Sequence, residues 1–547
     1  MKTLALLLLL APQEETVLRV SWGVPRELDP HRAQTLAEAR YVAALFEGLT
    51  SIGADGASAA PGVAERWEES ADGLSWTFHL REAWWSDGAP LGAADFVSSW
   101  RRALRIETGC VFAPLFRMIR NVGPYLDGLE ADAILAQYED LKPVQPNLVR
   151  ERLKLCASRR HVEALRKRDE TAAADEAARR PDVGAAGIGV EAPDARTLVV
   201  RLEKRSPWLP VTLAFMAFAP VPERAIEAHG PAWVQPGRLV GNGPYLYAAS
   251  ALSTLTLRRN PRYWDPRGPA RIEVGLHSPE VAVEKFKDGA LDWVAREQIP
   301  DGAPPAGLTR GGGWSTFFLR VNAKKAPFDK PGLRLALAKA VDRAPVAEAA
   351  RAPAATALVP RGFPGYPEAK GPARDPAGAM EALLKEAGAS GLPPIDLLAT
   401  EAFRLGEAAA ALRDGLEKSL GLSIRVHVLR FPAYREALAT GEFTMALGAW
   451  MGDAFDPSTF LEGWTASQPE NAFGVADPEF DRLLSAAAQA PGGRLAGLAA
   501  AEERLLSLGT VIPLFAGAES ALLGPRVEGF RFGLAGPYPL KELRLKP

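Results

Sequence analysis

The side chain best placed by sequence to bind a charged group lies between Phe443 and Phe460. An apolar run there ends in Ala449-Trp450-Met451-Gly452-Asp453, so a single carboxylate follows a tryptophan and a glycine. Asp456 and Pro457 come next, and these residue types suit the cap and the first position of a new helix. Asp453 is therefore not needed as a cap. Its carboxylate either lies in water on a loop or pairs with a positive charge, which a ligand could supply.

The other reactive side chains form no catalytic or metal-binding pattern. No two of the six histidines stand four residues apart, and none has metal-ligand spacing to a cysteine. There is no Gly-x-Ser-x-Gly motif and no phosphate-binding loop, and Gly184-Ala-Ala-Gly187-Ile-Gly189 has the wrong spacing for a dinucleotide turn. The 13 tryptophans are compatible with a carbohydrate-active enzyme, but sequence assigns no carboxylate pair. We therefore expect a protein that is not an enzyme and needs neither a cofactor nor a metal.

Length and charge define the broad class of the protein. The 547 residues are too many for one hydrophobic core and indicate about three or four domains. Charged residues make up 24% and hydrophobic residues 47%, as in ordinary globular proteins. Lys and Arg number 64 against 66 Asp and Glu, for a net charge of −2. This balance predicts neither a nucleic-acid partner nor an anionic membrane surface.

The N-terminal residues have the pattern of an export signal. Met1-Lys2-Thr3 precedes the apolar run 4–11, which is shorter than the roughly 20 residues that span a bilayer. We expect a signal-peptide region within 1–17, with cleavage near Ala11. No cysteine stands directly after the run, so no lipid anchor is expected, and no later apolar run is long enough to span a membrane. The sequence thus predicts an exported, soluble, periplasmic protein.

Cys110 and Cys156 are the two cysteines of the chain. In an exported protein they could form a disulfide that closes a loop of about 46 residues and adds roughly 3 to 4 kcal/mol in the chain-entropy model. Sequence does not place the two sulfur atoms within bonding distance, so a disulfide and two free thiols both stay open.

Apolar periodicity places the Asp453 stretch at the end of a strand. Strands and helices alternate before it, at 395–399, 403–420, 422–429, 433–440 and 443–450, with Gly421 as the stop of the second element. This order predicts a parallel or mixed sheet with right-handed crossovers. Ligands of open α/β sheets gather at the carboxyl ends of the strands. This position favours a ligand site at Asp453, and the alternative of a loop carboxylate in water stays open.

Two further segments have a distinctive composition. Residues 299–313 are rich in Pro and Gly and end in Gly311-Gly312-Gly313, which we interpret as a flexible loop that crosses between domains. The strand after it is predicted at 314–321. Residues 130–180 are rich in Ala and in opposite charges three and four residues apart, which predicts a solvated helical insertion.

Several short motifs, in order from about residue 18 to 532, together resemble the extracytoplasmic solute-binding proteins of ABC importers. The resemblance is to the large family that captures oligopeptides and dipeptides. The motifs are Leu45-Phe-Glu-Gly-Leu49, Trp85-Ser-Asp-Gly-Ala-Pro90, Gly241-Asn-Gly-Pro-Tyr245, Asn260-Pro-Arg-Tyr-Trp-Asp265, Lys325-Ala-Pro-Phe328, Trp450-Met-Gly-Asp453, Asp477-Pro-Glu-Phe-Asp481 and Ile512-Pro-Leu514. Each motif is weak alone, and their order and spacing carry the resemblance.

The resemblance implies a mixed α/β fold of the type II periplasmic-binding-protein class. Two lobes would be joined by a double chain crossover, and an extra small domain would be added to them. The first lobe would take 18–45, 190–312 and 518–547, and the second lobe 313–517. The extra domain would cover 46–189 and include the charged insertion at about 130–180, which is longer than family members usually carry there.

The family's peptide binders hold the ligand's α-ammonium group on an aspartate, and the resemblance carries this role to Asp453. The backbones of Trp22 to Val24 and of Ala449 to Met451 would pair with the peptide's main chain as an added strand. Trp450 would form a wall beside the anchor. The implied ligand-binding residues are Trp22, Gly23, Val24, Phe318, Arg351, Ala449, Trp450, Met451, Gly452 and Asp453.

The sequence departs from the family at positions that would bind the far end of a ligand. One cation that fixes the ligand's carboxylate is matched by Arg351, which could equally be a solvated surface arginine, and a second is replaced by Leu447. A stretch rich in tyrosines in the family appears here as 314–318, where Phe317 and Phe318 lack hydroxyl groups. The length of the ligand therefore stays open.

The resemblance implies a monomer that captures a peptide or other small solute and delivers it to an ABC permease in the membrane. Three alternatives stay open. The same fold could bind a metal chelate, haem, an opine or an oligosaccharide. The protein could be a secreted hydrolase, or it could be a receptor or chaperone without a role in transport.

Overall fold

The computed structural model describes residues 16–126, 187–251, 253–300, 306–387, 392–452, 455–490, 492–533 and 539–546. The expected insertion at 130–180, most of the signal region, Cys156 and Asp453 lie outside these residues. The insertion and the anchor therefore stay predictions, whereas Cys110 is a free thiol, so the disulfide alternative is not supported.

The strands are numbered here in chain order. They are β1 Val17–Ser21, β2 Thr50–Ile52, β3 Ala59–Pro61, β4 Ala64–Glu69, β5 Ser75–Leu80, β6 Ala83–Trp84, β7 Pro90–Leu91, β8 Val190–Asp194, β9 Thr197–Arg201, β10 Tyr245–Ser250, β11 Thr254–Arg259, β12 Arg271–Gly275, β13 Trp293–Ala295, β14 Leu308–Val321, β15 Ile395–Thr400, β16 Ile424–Leu429, β17 Met445–Met451, β18 Val511–Leu523, β19 Val527–Glu528 and β20 Arg544–Leu545.

The α-helices whose bounds the structure gives are numbered in the same way. They are α1 Leu36–Leu45, α2 Ala93–Ala103, α3 Leu209–Thr212, α4 Glu223–His229, α5 Pro279–Lys287, α6 Pro331–Ala340, α7 Arg343–Ala350, α8 Pro376–Ala387, α9 Leu405–Leu420, α10 Phe431–Thr440, α11 Pro478–Gln489 and α12 Arg494–Ser507. Short 3-10 helices that concern the site are Ala402–Arg404, Pro457–Phe460 and Glu462–Trp464. Within the described residues, none of the helices is long and apolar enough to cross a bilayer.

One ten-stranded sheet organises the molecule. Its strand order is β10-β11-β12-β1-β13-β18-β14-β17-β15-β16. Strand β1 is parallel to β12 and β13, and β15 is parallel to β16 and β17, whereas β14 is antiparallel to β17 and β18. The predicted mixed α/β class is thus confirmed.

The crossover between the predicted lobes is made by two long strands of this sheet. Strand β14 has 14 residues and β18 has 13, and they pair from Leu308 opposite Leu522 to Arg320 opposite Val511. The prediction of a loop through Gly313 is wrong, because the run 311–313 belongs to β14. A Cβ atom on Gly311 would lie 2.2 Å from the ring of Phe532. The glycine there allows close packing rather than supplying a flexible linker.

A separate four-stranded antiparallel sheet has the order β4-β5-β9-β8. The predicted domain boundary at 189/190 falls inside this sheet, because β9 pairs with β5 and β8 pairs with β9. Their alternation indicates that they are strands, but it does not identify the strands with which they pair. Helix α2 packs Phe96 and Trp100 into the same core as Phe78 of β5.

Local sequence signals set several helix ends. The Thr35 side chain accepts a hydrogen bond from the Glu38 N–H, and the Glu38 carboxylate accepts one from the Thr35 N–H. The two bonds form the capping box that starts α1. Gly421 ends α9 with a φ of 62°, in the left-handed region that favours glycine. Asp456 caps the 3-10 helix Pro457–Phe460 by accepting from the Ser458 N–H. The predicted stop at Gly421 and the predicted cap at Asp456 are both confirmed.

Candidate functional site

The carboxyl-terminal half of β17 forms an open edge of the sheet. Along one side, β17 pairs with β14 over its whole length, from Met445 opposite Val321 to Met451 opposite Ser315. Along the other side it pairs with β15 only at Met445 and Ala446. The edge of β17 beyond Ala446 therefore has no strand partner among the described residues.

The alternation of the backbone shows which groups face this open edge. The Gly452 N–H donates to the Trp314 carbonyl oxygen at 3.3 Å, on the β14 side. The Leu447 carbonyl accepts from the Tyr434 hydroxyl group, on the opposite side. Because successive peptide groups point to opposite sides of a strand, those of Ala449 and Met451 face the open edge with Leu447. Met451 is 68% exposed, so an incoming strand could reach these groups.

Trp450 points to the opposite face of the sheet from Ala449 and Met451. Its ring lies 6.2 Å from that of Trp464 and packs so closely on Gly463 that a Cβ atom there would be 2.5 Å from the indole. Its Nε1 is buried and has no hydrogen-bond partner within the described residues. Trp450 thus anchors the strand end to the core of the predicted second lobe.

Gly452 brings the end of β17 against Trp314. A Cβ atom at Gly452 would be 2.1 Å from the Trp314 Nε1, so a larger residue would displace the ring. The ring also packs on Phe455 and Phe460, with centroids 4.8 Å away in each case. The predicted anchor Asp453 follows Gly452 in the sequence and lies outside the described residues.

The first-lobe candidates follow the carboxyl end of β1. Trp22 is fully buried between Tyr41 and Trp293, with ring centroids 5.5 and 5.2 Å away, so its side chain belongs to the core. Gly23 turns the chain with a φ of +86°, and its carbonyl oxygen accepts from the Tyr41 hydroxyl at 2.6 Å. Val24 is 64% exposed. Of these three residues only Val24 is exposed, since Gly23 is also buried, so contact with a ligand is open at Val24.

Phe318 does not share a surface with the other candidates. It is 1% exposed and packs edge-to-face on Trp464 at 5.3 Å. Because side chains alternate along β14, Phe317 lies on the face of Ala449, its partner in the ladder, and Phe318 lies on the face of Trp450. Phe318, which the sequence predicted as a ligand contact, is thus buried on the face of Trp450, whereas Phe317 lies on the face of Ala449.

Arg351 lines a cavity of about 240 Å³ between the predicted lobes. The first lobe contributes Arg296 and Arg310 to its wall, and the second contributes Arg351 and Arg404. The phenyl rings of the wall are Phe317, Phe403 and Phe515. Sequence analysis missed Arg296, Arg310 and Arg404, because they are distant in sequence and no motif connects them.

The backbone of this cavity is strained. The non-glycine residues with positive φ in the described part of the chain are Asn121, Arg351, Phe403 and Arg404. Their φ values lie between 55° and 67°, and all except Asn121 line the cavity. Positive φ is unfavourable for residues with a Cβ atom, and such strain gathers at ligand clamps.

The predicted lobes also touch through aromatic rings. Trp208, which follows β9, lies 4.4 Å edge-to-face from Phe363 and 6.4 Å from Phe455. Trp314 stacks on the other side of Phe363 at 5.6 Å. This contact joins residues before the crossover to residues beyond it, close to the end of β17. Among the described residues no group of three or more His, Cys, Asp and Glu is placed to hold a metal ion.

Comparison with known proteins identifies a matching family. The model of the bacterial extracellular solute-binding proteins, family 5 Middle, matches residues 58–472. The probable deoxycholate-binding periplasmic protein YgiS of Escherichia coli K12 is 30% identical over 98% of this chain and 94% of its own. The periplasmic oligopeptide-binding protein OppA of Salmonella typhimurium is 26% identical over 97% and 92%.

A solved structure shares the fold. The periplasmic murein tripeptide binding protein MppA, in its unliganded open form, superposes with a TM-score of 0.80. The alignment covers 97% of this chain and 98% of that one at 24% sequence identity. The ten-stranded sheet and its two crossing strands therefore belong to a known architecture of two lobes.

Proposed function

The chain belongs to family 5 of the bacterial extracellular solute-binding proteins, and from this premise we propose that it captures oligopeptides between two lobes and delivers them to an ABC permease. Relatives named as oligopeptide-binding and murein peptide-binding proteins support a peptide ligand. The observation that carries the proposal is the open edge of β17, where the peptide groups of Ala449 and Met451 lack a strand partner within the described chain.

An open strand edge favours a peptide because a peptide offers the matching groups. The N–H and C=O groups of an extended ligand would pair with those of Ala449 and Met451, and with the exposed backbone at Val24. Main-chain pairing does not depend on side-chain identity, so selectivity from this edge is broad. The exposed edge is also an aggregation hazard in a protein without a ligand for it.

The α-ammonium group of the peptide would pair with Asp453, which follows the strand end. Two opposite charges at ~4 Å attract by roughly 4 kcal/mol at an effective dielectric constant near 20, before desolvation is counted. Desolvation of both charges offsets a large part of this attraction. The anchor would therefore contribute less to affinity than the charge attraction alone, and it would also fix the register of the bound peptide.

The place and mode of action follow from the family. Several relatives are periplasmic, and we propose that this chain acts there as a monomer. Its role is to bind and release a solute, and closure of the lobes buries that solute without chemical change. No cofactor and no catalytic group enters this proposal.

A second candidate function is the capture of an amphipathic carboxylate that is not a peptide. The relative at 30% identity is named as a probable deoxycholate-binding protein, and this observation favours it. A steroid carboxylate has no row of N–H and C=O groups to pair with β17. The two candidates therefore differ in whether the strand edge is used.

The decisive experiment is native mass spectrometry of the protein purified from its own periplasm, followed by identification of the released ligand. A mixture of peptides supports the proposal. Calorimetry then compares synthetic peptides with their N-acetylated forms, which should bind more weakly because the ammonium charge is gone. Recovery of a non-peptide solute, together with no heat from a mixed peptide pool, would contradict the proposed function.

A further inference from the structure

We propose that Trp208 is a positioning residue for the ligand site. It comes from the predicted first lobe and packs on Phe363 and Phe455 of the predicted second lobe, and this packing holds the end of strand β17 in place. The inference rests on the proposed function, which assigns that strand end to the ligand, and it names the residue that keeps the strand end in shape. The rings of Trp208, Trp314, Phe363 and Phe455 are called the aromatic contact below.

The sheet alone fixes the end of β17 on one side only. The ladder with β14 ends at Met451 opposite Ser315, and beyond Ala446 the other side has no strand partner among the described residues. Met451 is also 68% exposed. A strand end with half of its backbone groups open to solvent and few buried contacts opens easily. Packing outside the ladder must therefore hold the strand end.

Trp314 of β14 provides the first part of this packing. Its carbonyl oxygen accepts from the Gly452 N–H at 3.3 Å, and a Cβ atom at Gly452 would lie 2.1 Å from its Nε1. Its ring lies 4.8 Å from that of Phe455. Gly452 and Phe455 are the nearest described residues on either side of the point where β17 has ended, and both contact Trp314. The position of the Trp314 ring thus fixes the position of the strand end.

The aromatic contact continues from Trp314 to the first lobe. Phe363 stacks on Phe455 at 4.8 Å and lies 5.6 Å from Trp314. Trp208 then packs edge-to-face on Phe363 at 4.4 Å and on Phe455 at 6.4 Å, in the geometry that aromatic pairs prefer. Three rings of the contact lie beyond residue 313, and Trp208 is the ring that comes from before the crossover. It covers the side of the phenyl pair that faces the first lobe.

Polar bonds fix the backbones that carry the two phenyl rings. Glu502 accepts from the Val359 N–H at 3.0 Å and from the Tyr366 hydroxyl at 2.8 Å, which holds the loop of the first ring. Asp456, next to the second ring, pairs with Arg494 at 2.8 Å, and their side chains are 16% and 19% exposed. These bonds hold the chain but do not touch the faces of the rings. The positions of the rings therefore depend on what packs against them.

The Trp208 side chain has no polar role that would explain its place. Its Nε1 is buried and has no hydrogen-bond partner within the described residues, and the side chain makes no capping bond to helix α3, which it precedes. A buried N–H group without a partner is unfavourable. The contribution of Trp208 is therefore the packing of its ring, which a phenyl ring would largely reproduce and an aliphatic side chain would not.

The first test is hydrogen–deuterium exchange of the full-length protein without ligand. The variants are Trp208→Leu and the conservative Trp208→Phe, with Trp67→Leu as a control, since Trp67 of β4 is also half-buried and packs on a phenyl ring 6.3 Å away in the separate sheet. We expect exchange at Gly452 and in 455–460 to be at least fivefold faster in Trp208→Leu. In Trp208→Phe it should change less than twofold, and in Trp67→Leu not at all.

The second test is isothermal calorimetry of the same proteins with the peptide Ala-Ala-Ala-Ala. Trp208→Leu should bind it at least tenfold more weakly than the wild type does. Trp208→Phe should stay within threefold of the wild type, and Trp67→Leu should bind as the wild type does. A tenfold loss in Trp208→Leu with full binding by Trp208→Phe would show that the ring is what the site needs.

The outcomes separate this inference from the proposed function. Unchanged exchange at Gly452 and in 455–460 of Trp208→Leu overturns the positioning role and leaves peptide capture standing. Exchange that rises equally along the whole chain also overturns it, because Trp208 would then support the fold in general. A wild type that binds no peptide contradicts the proposed function, and the exchange data then decide the positioning role by themselves.

Discussion

Tyr434 of α10 donates its hydroxyl hydrogen to the carbonyl oxygen of Leu447, at the point where the open edge of β17 begins. Burial raises the pKa of Tyr434 to about 12, so the hydroxyl is a donor across the physiological range. The bond satisfies the last carbonyl of this edge that the protein itself covers. The peptide groups of Ala449 and Met451 beyond it have no strand partner among the described residues.

Replacement of Tyr434 by Phe should lower the free energy of unfolding by about 1 to 3 kcal/mol, because the buried Leu447 carbonyl loses its donor. Urea denaturation followed by fluorescence measures this change. Tyr247→Phe is the matched control, since Tyr247 is half-buried and shows no side-chain hydrogen bond within the described residues. An equal loss in both variants would show that the Leu447 bond contributes nothing specific.

Replacement of Asp453 by Asn should weaken binding of peptides by about 2 to 3 kcal/mol, since the buried ammonium of the ligand would lose its charge partner. The same change should have little effect on N-acetylated peptides. Calorimetry on both proteins with both ligands gives the coupling directly. If the four affinities show no coupling between the variant and the acetyl group, Asp453 is not the anchor.

Stability should fall as the pH drops from about 6.5 to 4 because of His31. Burial lowers the pKa of His31 to about 4, and its Nδ1 accepts from Arg102 at 2.8 Å. The unfolded chain binds a proton on this residue at pH 5 and the folded chain does not, so unfolding takes up a proton there. This difference lowers the free energy of unfolding by about 2 kcal/mol between pH 7 and pH 5.

His31→Gln isolates this contribution. Glu502 has the opposite effect on stability as the pH falls. Burial raises its pKa to about 7, so between the ordinary pKa of a glutamate and pH 7 the folded chain binds a proton that the unfolded chain does not. Glu502 is present in both proteins, so the difference between their pH profiles reports His31. Urea denaturation at pH 7 and pH 5 should give a smaller decrease for His31→Gln. Parallel profiles would contradict the assignment.

The contact of Trp208 with Phe363 should couple the two predicted lobes by about 0.5 to 1.5 kcal/mol beyond the area that it buries. A double-mutant cycle with Trp208→Leu and Phe363→Leu, measured by urea denaturation, gives this energy. Phe530 and Trp293, which form a similar edge-to-face pair at 5.0 Å within the first lobe, provide a reference cycle. A coupling near zero for Trp208 and Phe363 would mean that the rings do not interact across the lobes in solution.

Elements with a strong local signal were predicted well from sequence. Gly421 stops α9, and Asp456 with Pro457 starts a short helix, both as predicted. Strand β17 was predicted one or two residues early, at 443–450. In each case the deciding interaction lies within a few residues of the chain, which is why the sequence reveals it.

Features that depend on distant residues were not predicted. The sequence of the glycines at 311–313 suggests a linker, because it does not show that the ring of Phe532 packs against Gly311. The sequence predicted Phe318 and not Phe317 as a ligand contact, because the sequence does not show that the two side chains lie on opposite faces of β14 and which face each one takes. The cavity between the predicted lobes gathers side chains from Arg296 to Ser520, segments more than two hundred residues apart, and no periodicity in the sequence indicates that they meet.

The continuous sheet across the crossover limits how the lobes move. Strands β14 and β18 remain paired from one lobe to the other, with shifts of register between Gly312 and Thr316 and between Phe317 and Phe318. Any opening of the cleft would therefore have to bend the paired strands β14 and β18, because they connect the lobes as a hydrogen-bonded ribbon and not as a flexible linker. Because Arg310 and Phe317 of β14 and Phe515 of β18 line the cavity between the predicted lobes, a change in the curvature of these strands would change the shape of that cavity.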